Sequence, residues 1–259
     1  MERDPQSEVH VERIGHISVV EIDRPPLNFF DVTLVETILR RMQELDSDPQ
    51  CRAIVLAAAG KVFCAGADFG GGIDPEAGLK IAEDLYGKAI GIFEIGTPIV
   101  AAVQGPAIGG GLGLALTADF RITCEEARFS ANFALLGMHC GFAISKTLPR
   151  TVGQAAAARL LYTGNRINGV EAWECGLADF LVPQEELRDR AIAFASEIAK
   201  GAPIAVRDMR RTLRQGLVEE VRAALAHELS MQRNHMQTAD FREGIKASSE
   251  RRTPEFAGQ

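Results

Sequence analysis

The sequence predicts an α/β fold in which parallel strands are buried on both faces. Three observations carry this expectation. Short apolar, β-branched runs alternate with amphipathic stretches through the first two thirds of the chain. Glycine-rich loops follow directly on two of those runs. The last third reads as almost wholly helical.

Taken in order, Ile17 to Ile22 is rich in β-branched residues and reads as a strand, and Arg24-Pro25-Pro26 breaks it. A helix fits Asp31 to Asp46, with Val35, Ile38, Leu39, Met42 and Leu45 on one face and Asp31 as N-cap. Ala53 to Ala57 suits a buried strand. A glycine-rich loop then spans Ala65 to Gly72, a helix covers Pro75 to Ile95, and a strand follows at Ile99 to Val103. A second glycine-rich loop, Gly105 to Gly111, opens a short helix from Leu112 to Ala118, and Phe120 to Thr123 is the next strand. After a strand at Leu177 to Val182, helices fit Glu185 to Lys200, Pro203 to Leu213, Glu219 to Met236 and Asp240 to Glu250. No long linker intervenes. The expected organisation is a core over 1–183 and a helical region over 184–259, packed on the core or on a neighbouring subunit.

The 259 residues, 46% hydrophobic and 24% charged, are those of an ordinary globular protein. A net charge of -7 gives no broad attraction to nucleic acid or anionic lipid, so neither partner is expected. The five cysteines, Cys51, Cys64, Cys124, Cys140 and Cys175, are scattered and contain no C-x-x-C pair. That argues against a disulfide framework and a metal site and fits a reducing compartment. The polar N-terminus lacks a signal-peptide core, and Pro98 to Leu116 is too interrupted by Gln104, prolines and glycines to span a membrane. The expected location is the cytoplasm.

The chemistry lies in the two glycine-rich loops, Phe63-Cys64-Ala65-Gly66-Ala67-Asp68 and Gln104 to Leu114. Gly109-Gly110-Gly111 at a helix start lets a ligand approach the backbone and leaves N–H groups pointing outward, with the helix dipole adding positive charge. Such a site suits an oxygen that gains negative charge, such as a thioester carbonyl becoming an enolate. The plainer reading is a glycine-rich turn that lets the helix pack closely on the sheet. Neither a Rossmann fingerprint nor a P-loop is present.

These residues resemble the crotonase superfamily, the enoyl-CoA hydratase/isomerase family. Arg24-Pro25-Pro26-Leu27-Asn28 looks like its first CoA-contacting turn, and the two glycine-rich loops look like its oxyanion loops. Leu161 to Ile167 and Glu171 to Ala178 are similar to a further ordered segment of the family. The resemblance implies a spiral of ββα units with a C-terminal helical region, assembled as trimers or dimers of trimers. It implies an acyl-CoA substrate and no cofactor apart from the coenzyme A of that substrate. Carried over by position, the oxyanion donors are the N–H groups of Ala67 and Gly110. Asn28, Phe29, Ala65, Gly66, Asp68, Gly109 and Phe133 fall on the substrate and CoA path. Lys246, with Arg251 and Arg252, has two readings: contact with the CoA phosphates, or a solvated helix end.

The chain departs from the family where hydratases carry two glutamates. Gly113 and Phe133 stand at those positions, and neither accepts a proton. Two-glutamate hydration is therefore not expected. His139 and the adjacent Cys140 are the replacements in view, as general base and as nucleophile. Asp68 and Asp74 flank the first loop, where their other reading is structural, and Glu83 and Asp84 read as a solvated helix face. A glycine at 113 and a phenylalanine at 133 suggest an apolar pocket with room for a bulky or aromatic acyl group. Three functions stay open: an enzyme on CoA thioesters with a changed acid/base set, a non-catalytic acyl-CoA-binding protein, and an RNA-binding relative, which the net charge disfavours.

Overall fold

The computed structural model describes residues 8–68 and 75–259. Gly15, with φ 59°, turns the chain between β1 (Val9–Ile14) and β2 (Ile17–Ile22), which pair antiparallel. β1 escapes the sequence reading. The helix α1 (Val32–Asp46) begins where expected: the Asp31 side chain accepts from the Leu34 N–H, and Leu34, Val35, Ile38, Met42 and Leu45 are buried. β3 (Ala53–Ala58) then pairs parallel with β2. After α2 (Pro75–Glu94) come β4 (Ile99–Val103), β5 (Pro106–Ile108), α3 (Gly110–Ala115), β6 (Phe120–Thr123) and β7 (Arg128–Ser130). A 3-10 turn over Asn132–Leu136 leads to α4 (Ile144–Val152), α5 (Gln154–Thr163), β8 (Ile167–Asn168), α6 (Gly169–Glu174) and β9 (Phe180–Leu181). A second 3-10 turn, Gln184–Glu186, enters α7 (Leu187–Ala199), α8 (Pro203–Leu213), α9 (Leu217–His235) and α10 (Ala239–Glu250).

The main sheet has the order β1-β2-β3-β4-β6-β9 and is parallel from β2 onward. β2, β3 and β4 are buried along their whole length, as the unbroken apolar runs of β3 and β4 require, while β2 also buries Ser18 and Glu21. A small second sheet, β5-β7-β8, stands beside it and carries the second glycine-rich loop. Two expected elements change extent. The strand expected over Leu177 to Val182 is only Phe180–Leu181, and the helix expected from Leu112 starts at Gly110. The helical region packs on its own chain: α7 lies against β2, β3, β4 and β6, α9 against α2 and α4, and α10 against the first 3-10 turn.

A buried carboxylate ties α8 to the sheet. Asp119 accepts from the Ile99 N–H at 2.8 Å, from Arg210 Nε at 2.7 Å and from Arg214 Nη1 at 2.8 Å. Burial pushes this carboxyl up, but the two guanidiniums outweigh it and hold it below the ordinary carboxylate range. Its contribution to stability is therefore present above that range and lost as the pH falls below it. Replacing Asp119 with Ala strands two largely buried cations and should cost about 3–5 kcal/mol in a urea titration.

Candidate active site

The site is built where two backbones touch. Cys64 and Ala107 form a parallel bridge, the N–H groups of Phe63 and Cys64 both donate to the Pro106 carbonyl, and the Ile108 N–H donates to the Cys64 carbonyl at 3.0 Å. Gly66 has φ 83°, and a Cβ there would sit 2.8 Å from the Ile108 carbonyl oxygen and 3.4 Å from the Gly110 nitrogen. A Cβ on Gly111 would lie 2.0 Å from the Cys64 oxygen. Only glycine allows this approach.

Several neighbouring N–H groups are already used. Ala65 donates to Leu27, Phe30 to the Gly66 carbonyl, Gly109 to Ser130 and Gly113 to Gly109. Among the described residues, the N–H groups of Ala67 and Gly110 have no acceptor. Gly110 opens α3, so its N–H is one of the donors that a helix start leaves unpaired. Both residues line a cavity of about 520 Å³. Its walls come from Leu27, Phe29 and Phe30, from the two loops, from Ile81, Leu85 and Tyr86 of α2, from Phe133 and Phe142, and from Met236 and Ile245 near the C-terminus. The wall is mostly apolar, and Asp68 is the only carboxylate among the described lining residues.

Phe29, Ala65, Gly66, Ala67, Asp68, Gly109, Gly110 and Phe133 all line this cavity. Asn28 does not. It is buried, its amide donates to the carbonyls of Ala59 and Val62 at 3.0 and 2.7 Å, and its Oδ1 accepts from the Arg24 N–H at 2.8 Å. With φ 49° it holds a left-handed turn, and its side chain fixes the segment that places Leu27, Phe29 and Phe30. Lys246 is exposed on α10 and does not line the cavity, although Ile245, Ser248 and Ser249 do. Arg252 pairs with Glu243 and Glu250, and Arg251 is the exposed C-cap of α10. Glu83 is exposed, Asp84 pairs with Lys80 at 2.6 Å, and Asp74 lies outside the described residues.

His139 also stands apart from the cavity wall. Its ring packs edge-on against His227 at 5.7 Å and near His235 at 6.3 Å, and its Nδ1 lies 2.9 Å from the Cys140 carbonyl. His139 thus sits in a cluster of histidines beside the cavity rather than on its wall. Cys140 is buried, its Sγ lies 3.8 Å from Glu228, and burial pushes its thiol well above the usual range. It remains a thiol and is no nucleophile.

The two glutamate positions take opposite forms. The Phe133 ring faces the cavity, as the sequence suggests. The room expected at Gly113 is absent: a Cβ there would lie 2.7 Å from Phe142 Cβ. Phe142 fills the space and packs on Phe30, with ring centroids 5.4 Å apart. Sequence reasoning missed Phe142, Tyr86, Gln232 and Glu228. A signal for the last two exists. Leu217, Val221, Leu225, Glu228 and Gln232 form the buried stripe of α9, so two polar residues occupy core positions of an amphipathic helix.

A model of the family described as Enoyl-CoA hydratase/isomerase matches residues 12–259. The chain belongs to the enoyl-CoA hydratase/isomerase family. Mouse enoyl-CoA hydratase domain-containing protein 2, mitochondrial, is 34% identical, with 99% of this chain and 90% of that protein covered. The enoyl-CoA hydratase/isomerase of Pseudoalteromonas atlantica T6c superposes with a TM-score of 0.84 at 30% identity, covering 97% of this chain and 100% of that one. The enoyl-CoA hydratase of Bacillus anthracis gives 0.78 at 30% identity, over 98% and 100% of the two chains. The α/β architecture is thus that of the crotonase fold. No helix among the described residues is long and apolar enough to cross a membrane.

Within this enoyl-CoA hydratase/isomerase fold, the Gly113–Phe142 contact gives a direct test. Gly113→Ala should destabilise the protein by about 1–3 kcal/mol through overpacking. Adding Phe142→Ala should recover part of that loss, and a double-mutant cycle followed by thermal unfolding measures the coupling.

Proposed function

We propose that this chain binds an acyl-CoA thioester with its carbonyl oxygen between the N–H groups of Ala67 and Gly110. It then acts on the acyl group through the enolate or oxyanion that this pair stabilises. The observation that carries the reading is a pair of N–H donors without acceptors, on two interlocked backbones, facing one apolar cavity. Fixed donors of this kind stabilise charge that develops on the oxygen without having to reorganise. The surrounding Phe30, Phe133 and Phe142 exclude water, which strengthens those hydrogen bonds.

The reaction is not the two-glutamate hydration, because Phe133 and the Phe142-covered Gly113 stand where two carboxylates would work. Asp68, beside Ala67, is the residue placed to exchange a proton with the bound acyl group. The same observation supports a second reading. A cavity so poor in acid/base groups also suits a protein that binds acyl-CoA without turnover. The resemblance further proposes trimers or dimers of trimers, and the exposed Tyr162, Ile204, Met209 and Leu213 supply apolar surface for subunit contacts. The cytoplasm is the proposed location.

Gly110→Pro tests the donor cleanly. Gly110 is the first helical residue of α3, where proline is tolerated, so the helix start survives while the N–H is lost. Gly110→Ala is the control, because its Cβ meets the same Phe30 ring but keeps the N–H. Across a panel of CoA thioesters followed by mass and absorbance, turnover by the proline variant should fall about 100- to 1,000-fold below that of the alanine variant. Equal turnover by the two variants removes the proposed role of Gly110. Tight binding of thioesters by the wild type with no turnover of any selects the second reading.

A further inference from the structure

Beside the cavity, Phe142 and Ala143 take consecutive left-handed conformations, φ 59° and 57°, which L side chains disfavour. Something must hold them there. The Tyr86 hydroxyl, which donates to Gln232 Oε1 at 2.9 Å, lies against the preceding Gly141, and the Ala143 N–H donates to Glu228 Oε2 at 2.8 Å. The other Glu228 oxygen accepts from the Ser145 N–H at 3.0 Å and from Ser145 Oγ at 2.5 Å. Glu228 is fully buried on α9 and caps the N-terminus of α4, where Ala143 offers no side-chain cap of its own. Phe142, next to this Glu228-held turn, fills the space over Gly113 and stacks on Phe30 above Gly110.

We propose that Glu228 is a positioning residue for the acyl pocket: from α9 it holds the left-handed Phe142–Ala143 turn, so that Phe142 walls the cavity beside Gly110 and limits the acyl group admitted. This rests on the reading that a thioester occupies the cavity, and it adds the element that sets acyl size.

The hold depends on charge. An ionised Glu228 is an acceptor only and faces four donors: two N–H groups, the Ser145 hydroxyl and the Cys140 thiol. A protonated one has lost part of that acceptor capacity. The titratable groups facing it are Cys140 from the preceding loop and Tyr86 from α2, both pushed up and neutral. Lys146 of α4 is turned to Glu220, and His227, adjacent on α9, packs on His139. Among the described residues no cation pairs with Glu228. Burial outweighs the donors and pushes this carboxyl up to about 7. Its folded value being raised, the stability it contributes is lost as pH rises through about 7, while the grip on the turn tightens over the same range.

The experiment compares wild type, Glu228→Gln, Glu228→Asp and Phe142→Ala by calorimetry with acetyl-CoA and phenylacetyl-CoA at about pH 6 and about pH 8. Phe142→Ala should move the preference toward phenylacetyl-CoA by about tenfold at both pH values. Wild type should show that shift only at the lower pH, Glu228→Gln at both, and Glu228→Asp should restore part of the wild-type pattern. A Glu228→Gln protein with lower Tm but wild-type preference at both pH values would make the residue merely structural and overturn the proposal. If the glutamine variant does not fold, a wild-type preference that is flat between the two pH values overturns it equally. If wild type binds neither thioester, the functional reading falls and the acyl-size role falls with it, while amide exchange of Ala143 and Ser145 in the free protein separately reads the hold on the turn. Exchange faster in Glu228→Gln than in wild type shows that hold, and unchanged exchange overturns it.

Discussion

Two stretches of backbone approach so closely at the centre of this protein that no side chain fits between them. Gly66 lies against the Ile108 carbonyl and the Gly110 nitrogen, and Gly111 lies against the Cys64 carbonyl. The approach is held by hydrogen bonds from Phe63, Cys64 and Ile108, and by the continuation of β5 into the start of α3. The cavity inherits its polarity from this contact. Among the described residues, the N–H groups of Ala67 and Gly110, one from each loop, border the cavity with no acceptor. Everything else on the wall, from Phe30 to Met236, is shaped around that pair.

Backbone donors survive side-chain change, and that separates the family's binding function from its reaction in this chain. The glycine positions are intact, while the positions of the two glutamates have become apolar. The replacement is not a vacancy. Phe142 occupies the volume that Gly113 leaves, and the left-handed turn it shares with Ala143 is held by a carboxylate reaching across from α9. A glycine, a phenylalanine and a buried glutamate far apart in sequence thus act as one unit. Each is costly alone: a weak strand and helix former, a left-handed aromatic residue, and a desolvated charge.

Much of the core was legible in the sequence, for a physical reason. β2, β3, β4 and β6 are buried on both faces or nearly so; continuous apolar runs announce this for β3 and β4, and β-branched residues announce the strand for β2. α1 and the C-terminal helices have clear amphipathic periods or caps. Apart from β1 and α5, the elements that escaped are short or broken. β5, β7 and β8 have two or three residues, too few for any period, and α4 carries Pro149 inside it, which reads as an interruption. The glycine loops and Phe133 declared themselves, because close approach leaves glycine and an apolar wall leaves phenylalanine. The side chains of Asn28 and His139 lie off the cavity wall: one is a turn residue spent on backbone carbonyls, and the other is packed among histidines. Neither orientation is encoded in local pattern.

The central claim is that two backbone N–H groups grip a thioester carbonyl. Isotope-edited infrared spectroscopy of an acyl-CoA labelled with ¹³C at that carbonyl reads the grip directly, whether or not turnover follows. The account predicts that the C=O stretch moves to lower frequency on binding to wild type and to Gly110→Ala, and that most of this shift is lost with Gly110→Pro. A bound thioester whose carbonyl stretch stays at its value in water, or shifts equally in the proline variant, would contradict it.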